Sequence, residues 1–159
     1  MITQERVKEL FEYHDGGLYW KVSKSPIKSG QRIGSISTGG YRRAEVDGNG
    51  YQEHRLIYLM FHGDMPEFID HIDNDQSNNS IENLRPCTKL ENNLNSRIRI
   101  DNTSGIKGVH WDKCSKKWKA QLSISGKRKH LGLFDDISVA AEAVRSAREK
   151  HHGEFARHE

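Results

Sequence analysis

Apolar positions in this chain recur in short runs whose period keeps changing, which predicts many small elements rather than a few long ones. Residues 2–13 carry Val7, Leu10 and Phe11 at helical spacing, predicting a short helix. After the break at Asp15-Gly16-Gly17, strands are predicted at Leu18–Val22, Tyr41–Val46 and Tyr51–Glu53. Gly39-Gly40 and Asp47-Gly48-Asn49-Gly50 punctuate them, the second being a hairpin signal. His54–Phe61 is predicted as a buried helix that Gly63 and Pro66 end.

Further on, Phe68–Ile72 and Asn83–Cys87 are predicted as short strands around a polar loop, Asp73–Asn79. Thr88 with Glu91 three residues later forms a capping box. The helix it opens would carry Leu90, Leu94 and Ile98 on one stripe, with Asn92 off that face. A polar connector at 99–104 leads to three predicted strands, Val109–Asp112, Trp118–Ile124 and Arg128–Phe134, turning at Lys113–Lys117 and Ser125-Gly126-Lys127. A last helix over about 138–151 gathers Ala140, Ala143, Val144 and Ala147 on one side, with Asp135 or Asp136 as its cap. The expected fold class is α+β in small pieces: a β-rich region (1–53), a strand–loop–strand–helix module (54–98), a linker (99–104) and a three-stranded antiparallel sheet on one helix (105–157).

Composition agrees with thin cores, since 34% of the 159 residues are hydrophobic and 30% are charged. The net charge of +3 decides little, but its distribution does. Between Gly105 and Phe134 stand eight Lys/Arg against the single acid Asp112, a local +7 that leaves −4 on the rest. Such a segment attracts a phosphate backbone. Strand alternation sharpens this: Lys117, Lys119, Gln121 and Ser123 share one face, opposite Trp118, Ala120, Leu122 and Ile124. On the neighbouring strands, Arg128 and His130 are expected to oppose Leu131 and Leu133, and His110 to oppose Val109 and Trp111. Lys positions a duplex on its phosphates, Arg suits guanine and Gln suits adenine. Lys107, His110, Lys117, Lys119, Gln121, Arg128 and His130 are therefore the candidate DNA contacts.

Cys87 and Cys114 have no spacing for a disulfide framework or a zinc ribbon. The polar start lacks a signal-peptide core, and no apolar run approaches the ~20 residues of a membrane span. A soluble cytoplasmic protein without a signal peptide or membrane contact is expected. Asp73-x-Asp75-x-Ser77 begins like a calcium loop, but Asn78 replaces the turn glycine and Leu84 the closing glutamate. His54 is read as structural, and His14, His62, His151, His152 and His158 as solvent-exposed.

The run DHIDNDQSNNSIENLRPCTKLENN, residues 70–93, resembles the HNH (His-Me finger) nucleases, especially phage homing endonucleases. The resemblance implies two short strands and a helix closing on one divalent cation, Mg²⁺ or Mn²⁺. It implies Asp70 and Asn92 as the metal ligands, His71 as general base and Asn83 steadying the histidine loop. Many members carry histidine where Asn92 stands. The chemistry is coherent by itself: a histidine of ordinary pKa, about 6.5, takes a water proton at neutral pH, while a hard cation offsets charge on the phosphate. From Ser104 onward the tokens G-V-x-W, K-W-x-A-x-L and H-L-G-x-F, with the Ala-rich helix ending near Gly153-Glu154-Phe155, are similar to the AP2 domain. That family lays a sheet face in the major groove. More loosely, the first ~60 residues resemble β-rich segments that precede the motif in phage nucleases. Tyr41, Arg32, Arg42 and Arg43 are the candidates there for flanking DNA.

Together these readings imply a site-directed endonuclease acting on double-stranded DNA, nicking or cutting both strands, as monomer or homodimer, in a host cytoplasm if phage-encoded. A DNA-binding regulator with an inactive HNH module is the alternative. RNA binding by the basic sheet is a third reading.

Overall fold

The computed structural model describes residues 2–95, 98, 100–124 and 126–152. Several sequence-derived expectations lie outside these: Ser96 and Arg97 of the predicted helix, Arg99 of the connector, Ser125 of a turn, Gly153-Glu154-Phe155 and His158. The chain divides into two units, Met1–Cys87 and Thr88–Glu159.

In the first unit Thr3 caps helix α1 (Gln4–Leu10), its side chain accepting from the Arg6 N–H, and Val7 and Leu10 turn inward. The helix stops three residues short of the predicted end because a hairpin competes for the chain. Phe11–His14 forms β1, paired antiparallel with β2 (Gly17–Trp20) across Asp15-Gly16, where φ is 44° and 71°. Two successive positive φ values are what a tight hairpin turn requires. The hairpin also stacks Phe11 on Trp20, centroids 4.5 Å apart. The same device recurs at Asp47-Gly48 (φ 49° and 76°), which joins β4 (Arg42–Val46) to β5 (Asn49–Gln52); β3 (Ser35–Ile36) completes that sheet in the order β3-β4-β5.

Helix α2 (Glu53–His62) follows directly and ends on Gly63 in the left-handed region. β6 (Phe68–His71) pairs antiparallel with β7 (Leu84–Cys87), and a 3-10 turn at Ile81–Asn83 leads into β7. One core runs through Val7, Phe11, Leu18, Ile33, Leu56, Ile57, Ile69 and Leu84. The N-terminal hairpins and the histidine strand thus share a single apolar interior.

The second unit opens with the capping box at Thr88, present in both directions, and helix α3 (Lys89–Leu94). Here the predicted stripe fails. The helix is six residues long, with Asn95 as its C-cap, and Leu90 is 41% exposed. Fewer than two turns cannot repeat a buried stripe out to Ile98. β8 (Val109–Asp112), β9 (Lys117–Ile124) and β10 (Lys127–Phe134) form an antiparallel sheet in the order β10-β9-β8. Helix α4 (Ile137–His152) packs across it; Ala140 and Val144 meet Val109 and Ala120, with Trp118, Leu131 and Phe134 around them. Asp136 opens α4 by accepting from the Ser138 N–H at 2.6 Å. The fold class is α+β, as expected.

One strand departs from simple alternation. A register shift between His130 and Gly132 leaves Gly132 opposite Ala120, Leu133 opposite Lys119 and Phe134 opposite Trp118. Leu133 therefore joins the face of Lys119 and is 41% exposed, while Phe134 takes the core-facing place. A bulge changes which residues face inward beyond it, and a period-2 reading of sequence cannot foresee it.

Candidate functional site

The site is built outward from a buried carboxylate. Glu53, the first residue of α2, is 0% exposed. Its Oε1 accepts from the Leu18 N–H at 3.0 Å and from Arg32 Nε at 3.1 Å; Oε2 accepts from Arg32 Nη2 at 2.9 Å. Arg42 Nε stands 3.8 Å away. A carboxylate this deep in a protein needs such cationic and N–H partners to offset its lost hydration. Arg32 and Arg42, read from sequence as candidates for flanking DNA, are thus turned onto Glu53, while Arg43 is exposed.

The Glu53 Oε2 also receives Asn79 Nδ2 at 2.9 Å, and Asn79 Oδ1 lies 2.8 Å from His71 Nε2. Asn79 and His71 are both buried. Around them sit His54, its ring centroid 5.0 Å from that of His71, and Tyr41, 5.3 Å from His54 and 6.0 Å from His71. Burial, with the nearby His71 and Arg55 adding to it, pushes the His54 pKa down to about 3, so its ring is neutral.

Asn83 laces the loop that carries Asn79. Its Oδ1 accepts from the Asp73 N–H at 3.0 Å; its Nδ2 donates to Asp73 Oδ1 at 2.9 Å and to the Asn78 carbonyl at 2.8 Å. Burial works to raise the Asp73 pKa, but donors from Asp75, Asn78 and Asn83 outweigh it and hold the carboxyl below its usual range. Asp70, buried on β6, faces Arg85 on β7 and binds it through Oδ2, at 3.0 Å to Nη2 and 3.2 Å to Nε. Asn92 is exposed on α3, in the second unit. Among the described residues no three His, Cys, Asp or Glu side chains gather as a cation cage.

On the second unit's sheet the cross-strand pairs His110↔Lys119, Asp112↔Lys117, Gln121↔His130 and Ser123↔Arg128 place six of the seven candidate DNA contacts on one face. Lys117 is partly engaged there by Asp135, Nζ to Oδ2 at 3.1 Å in an exposed pair. Lys107 precedes β8, and its Nζ donates to the Leu94 carbonyl at 2.9 Å, at the end of α3.

Sequence reasoning missed Glu53 and Asn79. Glu53 reads as the polar end of a strand, and only tertiary contacts reveal its burial. Asn79 is one of two adjacent asparagines in a loop that reads simply as turn-forming.

Residues 51–94 match the model of the HNH endonuclease family. The chain is 34% identical over 108 residues to Protein 3.8 of Escherichia phage T7, an alignment covering 67% of this chain and 88% of that protein. It is 33% identical over 108 residues to an uncharacterized HNH endonuclease of Acanthamoeba polyphaga mimivirus, covering 66% of this chain and 55% of the relative. No solved structure matches. No helix among the described residues is long and apolar enough to cross a membrane. With the His71 strand pair, its loop and α3 all inside the matched span, the chain belongs to one family with Protein 3.8 of phage T7 and carries at residues 51–94 an HNH endonuclease domain, that of a nuclease acting on DNA.

Proposed function

We propose that this nuclease is a site-directed, homing-type endonuclease that hydrolyses a phosphodiester of double-stranded DNA, with His71 as general base and an AP2-like sheet holding the duplex. The observation that carries the reading is the fixed His71 ring at the end of β6, bound through Nε2 to Asn79. With Nε2 engaged, the other ring nitrogen takes the proton from the attacking water. Asn83 keeps the loop in the shape that delivers Asn79.

By the resemblance, Asp70, whose carboxylate Arg85 orients, and Asn92, exposed on α3, would each offer an oxygen to a hard divalent ion, Mg²⁺ or Mn²⁺. When bound, such an ion supplies neutralisation of charge on the scissile phosphate and leaving oxygen. Lys117 and Lys119 would position the backbone, while Gln121, Arg128, His110 and His130 meet base edges. Lys107, ahead of β8 and donating to the Leu94 carbonyl, would add a further phosphate contact beside that face.

A second reading, a DNA-binding regulator without cleavage, draws support from the Asp70–Arg85 ion pair, which already engages one ligand oxygen. Incubating supercoiled plasmids that carry candidate host sequences with Mg²⁺, with EDTA and with the His71→Ala variant separates the two. Conversion to open-circle or linear DNA is expected, abolished by EDTA and slowed about 10²–10⁴-fold in His71→Ala. Cleavage that persists in that variant overturns the base assignment. Gel retardation without any metal-dependent conversion supports the regulator.

A further inference from the structure

We infer that Glu53 is a positioning residue for His71, acting through the Asn79 amide. The inference rests on His71 being the general base and adds the group that decides which of its nitrogens carries the proton.

An amide between two polar neighbours can sit either way round, and an imidazole can hold its proton on either nitrogen. Glu53 removes both freedoms. A carboxylate only accepts, so the Asn79 atom 2.9 Å from Glu53 Oε2 is the NH₂ group. The oxygen of that amide must then face His71, 2.8 Å from Nε2. A carbonyl oxygen in turn requires Nε2 to be the donor, which leaves the lone pair on Nδ1. The chain Glu53–Asn79–His71 thus runs in one direction only, acceptor to donor, over residues 26 and 8 positions apart in sequence.

Glu53 is itself immobilised. The Arg32 guanidinium grips both of its oxygens, and the Leu18 N–H adds a third donor, so the carboxylate cannot turn to offer Asn79 anything else. A purely structural reading is that the Glu53–Arg32 pair only ties α2 to the N-terminal hairpin. Buried ion pairs are weak grounds for net stability, and that reading leaves unexplained why the carboxylate ends on the partner of a functional histidine.

The two readings part on the ring itself. In the ¹⁵N-labelled full chain, long-range ¹H–¹⁵N correlation of His71 is expected to report a single Nε2–H tautomer. Glu53→Gln places an NH₂ group where Oε2 stands; Asn79 then turns its oxygen towards it, and His71 shifts to the Nδ1–H form. Asn79→Ala keeps Glu53 on Arg32 and Leu18, so the fold is retained if the glutamine variant proves unstable, and the ring becomes a mixture of tautomers. In either folded variant kcat for plasmid conversion falls about 10- to 100-fold, the usual scale for removing the partner that orients a functional histidine, while KM for DNA is unchanged. A role confined to stability lowers Tm and leaves tautomer and kcat as they were. An Nδ1–H ring in the native protein, or an Nε2–H ring retained in both variants, overturns the inference. His71→Ala tells the failures apart. Cleavage lost there but unchanged in both variants overturns the positioning role alone. Cleavage surviving His71→Ala overturns the base assignment together with it.

Discussion

His54 lies buried in the first turn of α2 with Tyr41 and His71 beside its ring, and that enclosure makes it a stability sensor for pH. Folded, its pKa is about 3; unfolded, it returns to the ordinary 6.5. Between those values the unfolded chain binds one more proton than the folded one, so stability is full above the unfolded pKa and lost as pH falls below it. One such group contributes a slope of at most ~1.4 kcal/mol per pH unit. Urea midpoints followed from neutral pH downward are expected to fall in the native protein and to fall less in His54→Asn, which has no proton to take up. Equal slopes in the two would show that His54 is not the group responsible. The sequence reading also gave His54 a structural part. What it could not supply at this scale is Glu53: a charged residue after a hairpin reads as solvent-facing, and its burial depends on an arginine 21 positions away.

Elements were legible where local chemistry is decisive and obscure where two local preferences compete. The capping box at Thr88 and the Asp47-Gly48 hairpin follow from a few adjacent residues, whereas helical spacing over 2–13 lost its last turn to the Asp15-Gly16 hairpin. That hairpin also bears on the site. A Cβ at Gly16 would meet the backbone of Ser80 at 3.1 Å and of Asn79 at 3.3 Å, on top of an unfavourable φ of 71°. Gly48 has a similar φ of 76°, with nothing within 4 Å of its Cβ position. Gly48→Ala therefore isolates the conformational strain, about 1–3 kcal/mol, and Gly16→Ala is expected to exceed it. Denaturant unfolding of both variants measures the difference. Equal losses would mean that the Asn79–Ser80 backbone yields to the added methyl at no cost. Thr88→Ala, by contrast, should cost ~1 kcal/mol through the lost cap and leave the His71 loop untouched.

At the scale of the whole molecule the charge division was legible from composition, and the eight-residue alternation of β9 settled which side chains share a face. The shared core of residues 7–84 was not, because contacts between a hairpin and strands some sixty residues away leave no periodic trace. Nor was Leu133, which the bulge in β10 adds to the otherwise polar face. If that face holds the duplex as proposed, salt resolves a division of labour on it. A lysine that neutralises a phosphate releases counterions, so its removal lowers the slope of log K against log salt by about 0.9. A residue that reads a base edge changes sequence preference and leaves the slope alone. Lys119, central on β9 between His110 and Leu133, is expected to act in the first way when replaced by Ala, and Gln121, opposite His130, in the second. Lys117 should give a smaller change than Lys119, because Asp135 already accompanies its charge. Binding isotherms over a range of salt, on a preferred duplex and a scrambled one, separate these outcomes. If Lys119→Ala leaves the slope unchanged, the open face of the sheet is not where the phosphates lie, and the +7 of residues 105–134 acts from its turns instead.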